Sequence, residues 1–188
     1  MGQDTMPKSV LIPIADGTEE IEAVTMIDVL RRAGAEVTVA SVGALQVTAS
    51  RGVKLVADCL IDDCQDKNFD LVLLPGGIPG AEHLRDNGVL KGILLRQQAA
   101  RRLYGAICAA PAIVLEPHGL LKDRQATCHP GHAKDLSNGT SSQHRIVVDG
   151  NCVTSQGPGT AMAFSLKLVE MLFGKETMEA VAAPMVVN

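Results

Sequence analysis

The feature that most constrains the fold is a repeated alternation of short, unbroken apolar runs with segments of helical periodicity. Residues 10–14, Leu71–Leu74 and Leu103–Ile107 are apolar runs without polar alternation. Strands of this kind are typical of a parallel sheet covered by helices on both faces. The first intervening segment carries apolar residues at helical spacing, namely Ile21, Val24, Ile27 and Leu30. The sequence therefore predicts a three-layer α/β sandwich with a mostly parallel central sheet.

The remaining elements follow from the same patterns. We expect one domain over residues 1–188, with residues 1–7 as a flexible N-terminus, because no repeat or linker interrupts the alternation. The further predicted elements are a strand at 37–41, a hairpin of 46–49 with 53–57, a helix at 89–101, a helix after Ile107, a hairpin of 146–148 with Cys152–Ser155, and a helix at Ala161–Phe173.

Composition excludes several classes of protein. The net charge is −4, aromatic residues make up 2% of the chain, and there is no Trp, so neither a basic nucleic-acid footprint nor a base-stacking surface is present. No apolar run approaches the roughly 20 residues that span a bilayer, and no signal peptide is recognisable at the start. We expect a cytoplasmic protein that binds neither nucleic acid nor membrane.

The five cysteines are odd in number and form no C-x-x-C pair, which argues against a disulfide framework or a structural zinc site. Each cysteine is therefore judged alone. His129 and His132 are three residues apart, but no third ligand stands near them, so no metal site is predicted.

Ligands of open parallel sheets bind beyond the carboxyl ends of the strands. That rule narrows the search for a site to four segments, which are residues 16–22, 75–80, 108–111 and 157–160.

Cys108 is the candidate nucleophile. It follows the run Leu103–Ile107, and Pro111, which is tolerated only in the first turn of a helix, places a helix start just behind it. A helix N-terminus favours an anion and lowers a thiol pKa, so a nucleophilic thiolate is expected here. The small neighbours Gly105, Ala106, Ala109 and Ala110 permit a tight corner. The alternative is a buried, inert cysteine.

Two further side chains are candidates for proton transfer. Glu22 lies early in the first helix between Ile21 and Ala23, where partial burial would raise its pKa. It is one of three acidic residues at this helix start. The alternative is that all three acids only complement the helix dipole, behind an N-cap at Asp16 or Thr18. His129 precedes Pro130 at a predicted strand end and could assist Cys108, the alternative being a structural histidine.

The segment at 75–80 superficially resembles a phosphate loop but matches neither glycine-rich nucleotide motif. Gly76 and Gly77 are better suited to close backbone approach, where a bare N–H can serve as an oxyanion donor.

Taken together, these pieces resemble the DJ-one branch of the ThiJ/PfpI superfamily over nearly the whole chain. The matching stretches are at 16–22, 31–34, 74–77, 106–111, 127–130 and 155–160. The resemblance implies a flavodoxin-like fold, a homodimer, and a reactive Cys108 that hydrogen-bonds a protonated Glu22 near His129. It also implies an oxyanion pocket formed by the N–H groups of Gly77 and Ala109.

The activity implied by the resemblance is that of a cofactor-independent, glutathione-independent glyoxalase that converts methylglyoxal, a small dicarbonyl, to lactate. Members are also described as protein deglycases and redox-responsive chaperones, which are kept as alternatives. A binding module without chemistry is a third reading.

The sequence departs from the family pattern at Gln156, where relatives often carry Arg, and Arg51 is expected to compensate in part. The protease-like branch has His directly after the nucleophile, whereas Ala109 stands here, so peptidase activity is not expected.

Overall fold

The computed structural model describes residues 7–137 and 144–187. The expected flexible N-terminus, residues 1–7, lies outside the described residues apart from Pro7. The strands are β1 (Ser9–Ile14), β2 (Glu36–Ser41), β3 (Gln46–Thr48), β4 (Lys54–Val56), β5 (Cys59–Leu60), β6 (Leu71–Leu74), β7 (Leu103–Ile107), β8 (Ile146–Asp149) and β9 (Cys152–Ser155). The α-helices are α1 (Glu20–Arg32), α2 (Gly80–Asp86), α3 (Gly88–Ala99), α4 (Ala161–Phe173) and α5 (Lys175–Ala182).

The central sheet has seven strands in the order β5-β2-β1-β6-β7-β9-β8. Every neighbouring pair is parallel except β8 and β9, which form the hairpin expected around Gly150. The strands β3 and β4 form a separate antiparallel hairpin. The prediction of a mostly parallel α/β sandwich is confirmed, and the carboxyl ends of β1, β6, β7 and β9 lie side by side at one edge.

Helices cover both faces of this sheet. Alternate residues of β1 pack on opposite sides: Val10 and Ile12 belong to a cluster with α1 and α4, whereas Leu11 belongs to a cluster with α2 and α3. The strands are buried on both faces, which explains their unbroken apolar runs. None of the helices described is both long and apolar enough to cross a lipid bilayer.

Helix α1 forms where the sequence predicts it, but its start and its buried face differ from the expectation. The N-cap is Glu19, whose side chain accepts from the N–H of Glu22, and not Asp16 or Thr18. Those two side chains instead bond the N–H groups of Thr48 and Ala15, which tie down the preceding turn.

The apolar stripe of α1 does not all face the core. Ile21 and Val24 are about half exposed. The buried residues of this helix are Glu20, Glu22, Ala23, Met26, Val29 and Leu30.

Several features, among them strand β5, differ from what the sequence predicts. Helices α2 and α5 were not predicted, and the helix expected after Ile107 is only a wide helical turn at Pro111–Leu115. In addition, Cys59 and Cys64 are not isolated, because their sulfur atoms lie 3.7 Å apart. Treating each cysteine alone was wrong because a local turn brings this pair together without a C-x-x-C spacing.

Gly105 sets the spacing between β7 and β9, and this predicts a large effect of one methyl group. A Cβ atom at Gly105 would lie 2.5 Å from the backbone oxygen of Val153. We expect Gly105→Ala to lower the free energy of unfolding by about 1–3 kcal/mol, as overpacked cores do. The matched control is Gly92→Ala in α3, where the nearest atom is 3.6 Å away in a flexible Arg96 side chain. There, alanine should stabilise the helix by about 0.5–1 kcal/mol. Equal effects of the two substitutions in urea unfolding would contradict this account.

Candidate active site

The four strand-end segments named by the sequence meet around one cavity of about 380 Å³. A cavity of this size is in the range used for small ligands. The residues that line it are Glu19, Ser50, Arg51, Gly77, Ile78, Cys108, Ala109, His129, His132 and Pro158. The expectation that the site lies at this edge of the sheet is therefore matched by a cavity that contains Cys108.

Cys108 occupies a strained corner between β7 and the turn at Pro111–Leu115. Its φ is 65°, in the left-handed region that residues other than glycine rarely adopt. Hydrogen bonds hold the corner on both sides: the Cys108 N–H donates to the Ser155 carbonyl at 3.0 Å, and the Cys108 carbonyl accepts from the His129 N–H at 2.7 Å. The backbone thus fixes where the sulfur points.

Glycine lets three chain segments approach this corner. A Cβ atom at Gly76 would lie 2.6 Å from Cβ of Cys108 and 2.9 Å from Oε2 of Glu22. Gly77 has a φ of 88°, and a Cβ atom there would lie 2.3 Å from the backbone oxygen of Gly17. Any side chain at Gly76 would therefore separate Cys108 from Glu22.

Glu22 is completely buried beneath Cys108. Its Oε2 accepts a hydrogen bond from the Gly76 N–H at 2.8 Å. Its Oε1 is buried without a conventional hydrogen-bond partner among the described residues, and the nearby Cys108 thiol is the side chain that interacts with this carboxyl. Burial raises the pKa of Glu22 to about 7. Of the three acids at the start of α1, Glu22 is the one with the environment of a proton donor.

The expected low pKa of Cys108 is corrected by the structure. Burial, followed by the charge of an ionised Glu22, raises the pKa of Cys108 to about 12. The helical turn behind Cys108 is too short to outweigh these effects. Hydrogen bonds from the backbone N–H groups of Ala109 and Gly77 act in the opposite direction and favour the thiolate. Because part of the increase comes from the Glu22 carboxylate, the ionisation of the thiol depends on where the Glu22 proton is.

His129 also lines the cavity. Its Nδ1 accepts a hydrogen bond from the Gly131 N–H at 3.1 Å, so a neutral His129 carries its proton on Nε2. The structure therefore brings His129 to the site as a hydrogen-bond donor, linked to Cys108 through the backbone. The nearby His132 interacts with Asp135 at 3.3 Å.

One wall of the cavity comes from the β3–β4 hairpin, of which the sequence analysis connected only Arg51 with the site. The Glu20 carboxylate accepts from the Ser50 hydroxyl and from the Arg51 N–H, both at 2.8 Å. These contacts bring Arg51 to the cavity, which Gln156 does not line. The sequence shows an acidic residue at Glu20 and a turn at Gly52, but it does not show that the Glu20 carboxylate hydrogen-bonds the hairpin.

The described residues contain no group of three or more His, Cys, Asp or Glu side chains placed to hold a metal ion.

Comparisons with known proteins fit this geometry. The model of the DJ-1/PfpI family matches residues 8–171. The chain belongs to the DJ-1/PfpI family. It is 51% identical over 168 residues to Protein DJ-1 homolog B of Arabidopsis thaliana, covering 89% of this chain but only 38% of that longer protein.

Two further members cover nearly the whole chain. The Caenorhabditis elegans protein named glutathione-independent glyoxalase DJR-1.2 is 35% identical over 178 residues, covering 94% of each chain. The structure of oxidised DJ-1 from Toxoplasma gondii superposes with a TM-score of 0.94 at 43% identity, covering 96% of this chain and 99% of the other. This agreement confirms the flavodoxin-like fold expected from the resemblance.

The buried carboxyl predicts a specific dependence of stability on pH. A Glu22 pKa of about 7 in the folded state lies above the ordinary value of 4.5, so the folded protein holds this proton more tightly than the unfolded chain. Its contribution to stability is present below pH 4.5 and is lost as pH rises to 7, by about 3 kcal/mol. The test compares urea unfolding of Cys108→Ala with that of Cys108→Ala/Glu22→Gln, so that only one group of the pair titrates.

The difference in unfolding free energy should shift by that amount in favour of the Gln variant between pH 4.5 and 7.5. Any effect of the introduced amide on the free energy of unfolding that does not depend on pH is the same at both pH values and does not contribute to this shift. Parallel pH profiles of the two proteins would contradict a raised Glu22 pKa.

Proposed function

We propose that this protein is a glutathione-independent glyoxalase that converts methylglyoxal to lactate, and glyoxal to glycolate, without a cofactor. The observation that carries the proposal is the contact between Cys108 and the buried carboxyl of Glu22, one oxygen of which has no conventional hydrogen-bond partner among the described residues. The arrangement provides a nucleophile and a titratable acid in one small cavity. The naming of a 35% identical relative as a glutathione-independent glyoxalase supports the same activity.

The proton of the resting pair belongs on Oε1 of Glu22. An ionised carboxylate there would bury an unpaired, charged oxygen, which is costly. With the proton on Oε1, the carboxyl donates to the sulfur, and the N–H groups of Gly77 and Ala109 add two further donors to it. The repulsion between the two groups then disappears, and Cys108 becomes a thiolate while the net charge of the pair stays the same.

The reaction begins when the Cys108 thiolate attacks the aldehyde carbon of methylglyoxal. The N–H groups of Gly77 and Ala109 hold the developing oxyanion, and Glu22 gives it a proton, which leaves a hemithioacetal. The Glu22 carboxylate next removes the hydrogen from the former aldehyde carbon, forming an enediolate. It returns this proton to the neighbouring carbon while the hydroxyl proton of the former aldehyde oxygen passes to the former ketone oxygen, which leaves a thioester of lactate on Cys108.

Water then hydrolyses the thioester and releases lactate, and Cys108 and Glu22 regain the single proton they share. The sum is methylglyoxal plus water giving lactate and a proton released to solvent, with no net oxidation or reduction. A carboxyl with a pKa of about 7 is suited to give and take protons at neutral pH. His129 would orient the substrate carbonyl by donating from Nε2.

This mechanism predicts the effects of three substitutions. Methylglyoxal loss and lactate formation are followed without glutathione in an amine-free buffer. Cys108→Ser should lose repeated turnover, because the hydroxyl is a poor nucleophile here. Glu22→Gln should lower kcat by at least about 100-fold, the usual contribution of general acid–base catalysis. Cys59→Ser is the matched control outside the cavity and should retain the wild-type rate.

A fully active Glu22→Gln variant would rule out the proton transfer, and a fully active Cys108→Ser variant would rule out covalent catalysis. The same assay addresses the deglycase alternative. Methylglyoxal adds reversibly to amines and thiols, so removal of the free aldehyde drains such adducts by mass action. A true deglycase must clear them faster than they dissociate spontaneously.

A redox-sensing or chaperone role of Cys108 is the second candidate. It is favoured by the Toxoplasma gondii DJ-1 structure, which is described as oxidised. A protonated Glu22 would donate a hydrogen bond to an oxygen of a sulfinic acid at Cys108. If the protein shows no turnover while peroxide adds two oxygen atoms to Cys108, the sensor becomes the better account.

We also propose that the protein is a homodimer, as the resemblance implies. Ile21 and Val24 of α1 and Val53 of the β3–β4 hairpin are each about half exposed. The hydrogen bonds between Glu20 and the hairpin hold α1 and the hairpin together. Sedimentation should give a dimer for the wild type and a monomer for Val24→Arg; an unchanged mass in Val24→Arg would place the interface elsewhere.

A further inference from the structure

Cys59 and Cys64 form a pair of thiols outside the cavity of Cys108. Their sulfur atoms lie 3.7 Å apart, close enough that either thiol can donate to the other. Cys59 lies on β5, the outermost strand of the sheet, and four strand steps separate β5 from β7. At the usual strand spacing that is about 19 Å, so the pair is distinct from the site of Cys108.

The backbone between the two cysteines holds the sulfurs together. Strand β5 leads directly into a single helical turn, Ile61–Cys64. The Leu60 N–H donates to the Asp63 side chain at 3.2 Å, and the Lys67 N–H donates to the Cys64 carbonyl at 3.0 Å. The β5 backbone is in turn paired with β2. The turn is therefore fixed at both ends, and closing a disulfide needs only a small approach of two side chains.

The two thiols differ in access to solvent. Cys59 is partly exposed, whereas Cys64 is fully buried against the hydrophobic cluster on the α2–α3 face of the sheet. Burial and the neighbouring Cys59 raise the pKa of Cys64 to about 11. A partly exposed thiol with a second thiol beside it is the geometry in which a sulfenic acid can be resolved to a disulfide.

We propose that Cys59 and Cys64 are a second redox site, which hydrogen peroxide converts to an intramolecular disulfide and thiols reduce again. The Cys59 thiolate attacks one peroxide oxygen, giving a sulfenic acid and hydroxide. The sulfur of Cys64 then attacks the sulfenic sulfur, and its thiol proton leaves with the departing hydroxyl as water. In sum, two thiols and one peroxide give one disulfide and two waters. Two molecules of a thiol such as glutathione restore the pair and leave as their own disulfide.

The proposal does not rest on the glyoxalase activity, and it is tested in a protein that lacks the Cys108 thiol. The parent protein is Cys108→Ser, treated with equimolar hydrogen peroxide, denatured and assayed for free thiols with and without a later dithiol reductant. We expect the loss of two thiols per chain, full recovery on reduction, and a peptide containing residues 59–64 that is lighter by two hydrogen atoms.

Adding Cys59→Ser or Cys64→Ser to the parent should abolish the paired loss. Adding Cys128→Ser, which removes a buried cysteine in a loop elsewhere in the chain, should leave it intact. The proposal is overturned if the paired loss persists without Cys59 or Cys64, if Cys59 is oxidised to a sulfinic acid while Cys64 stays free, or if the disulfide joins two chains. A folded control spectrum of each variant before oxidation excludes unfolding as the cause of a lost reaction.

Discussion

The complete burial of a carboxyl group beneath a thiol is the constraint on which the rest of this site depends. Glu22 takes one hydrogen bond, from Gly76, and keeps a second oxygen without a conventional partner among the described residues. Water would satisfy that oxygen at the surface, but here only a proton or the neighbouring sulfur is available. Because an ionised carboxylate is unfavourable in this buried position, the titration of Glu22 is coupled to that of Cys108. The proposed chemistry uses that coupling.

The fold maintains this arrangement through the backbone. Hydrogen bonds to Ser155 and His129 hold Cys108 at a positive φ. Gly76 lies so close to Cys108 and Glu22 that no methyl group fits there. Parallel strands bring β1, β6, β7 and β9 to one edge, so that four distant segments of sequence supply the walls of one cavity. The strain at Cys108 is offset by the packing of a sheet that is buried on both faces.

Much of this could be predicted from the sequence because parallel strands and sharp corners leave local signals. The apolar runs located β1, β6 and β7, and Pro111 located the corner after Cys108. Helix α2 was missed because its core contacts are few, Ala81 and Leu84, which is too short a pattern for periodicity. The thiol pKa was wrongly predicted because it depends on burial and on Glu22, which are set by tertiary structure.

The Cys59–Cys64 contact was invisible for a related reason, since its five-residue spacing matches no common motif and only the turn after β5 brings the sulfurs together. In the same way, the hairpin wall with Arg51 depends on a contact with Glu20 that spans more than 30 residues. Local patterns thus placed Cys108 at a corner of the chain, and the family resemblance singled out Glu22 among three acids, whereas the electrostatics and the rest of the cavity required the folded chain.

The most direct test of the account is the ionisation of Cys108, read from thiolate absorbance as the difference between wild type and Cys108→Ser across pH, and repeated in the Glu22→Gln background. If Glu22 holds the shared proton, the wild-type thiol titrates well below the pKa of about 12 that burial and an ionised Glu22 together give it. Replacing a neutral acid by a neutral amide then changes that pKa by less than about one unit, since no charge is removed. A wild-type thiol that titrates near 12, and whose pKa falls by several units in Glu22→Gln, would mean that Glu22 is ionised and would contradict the proposed mechanism.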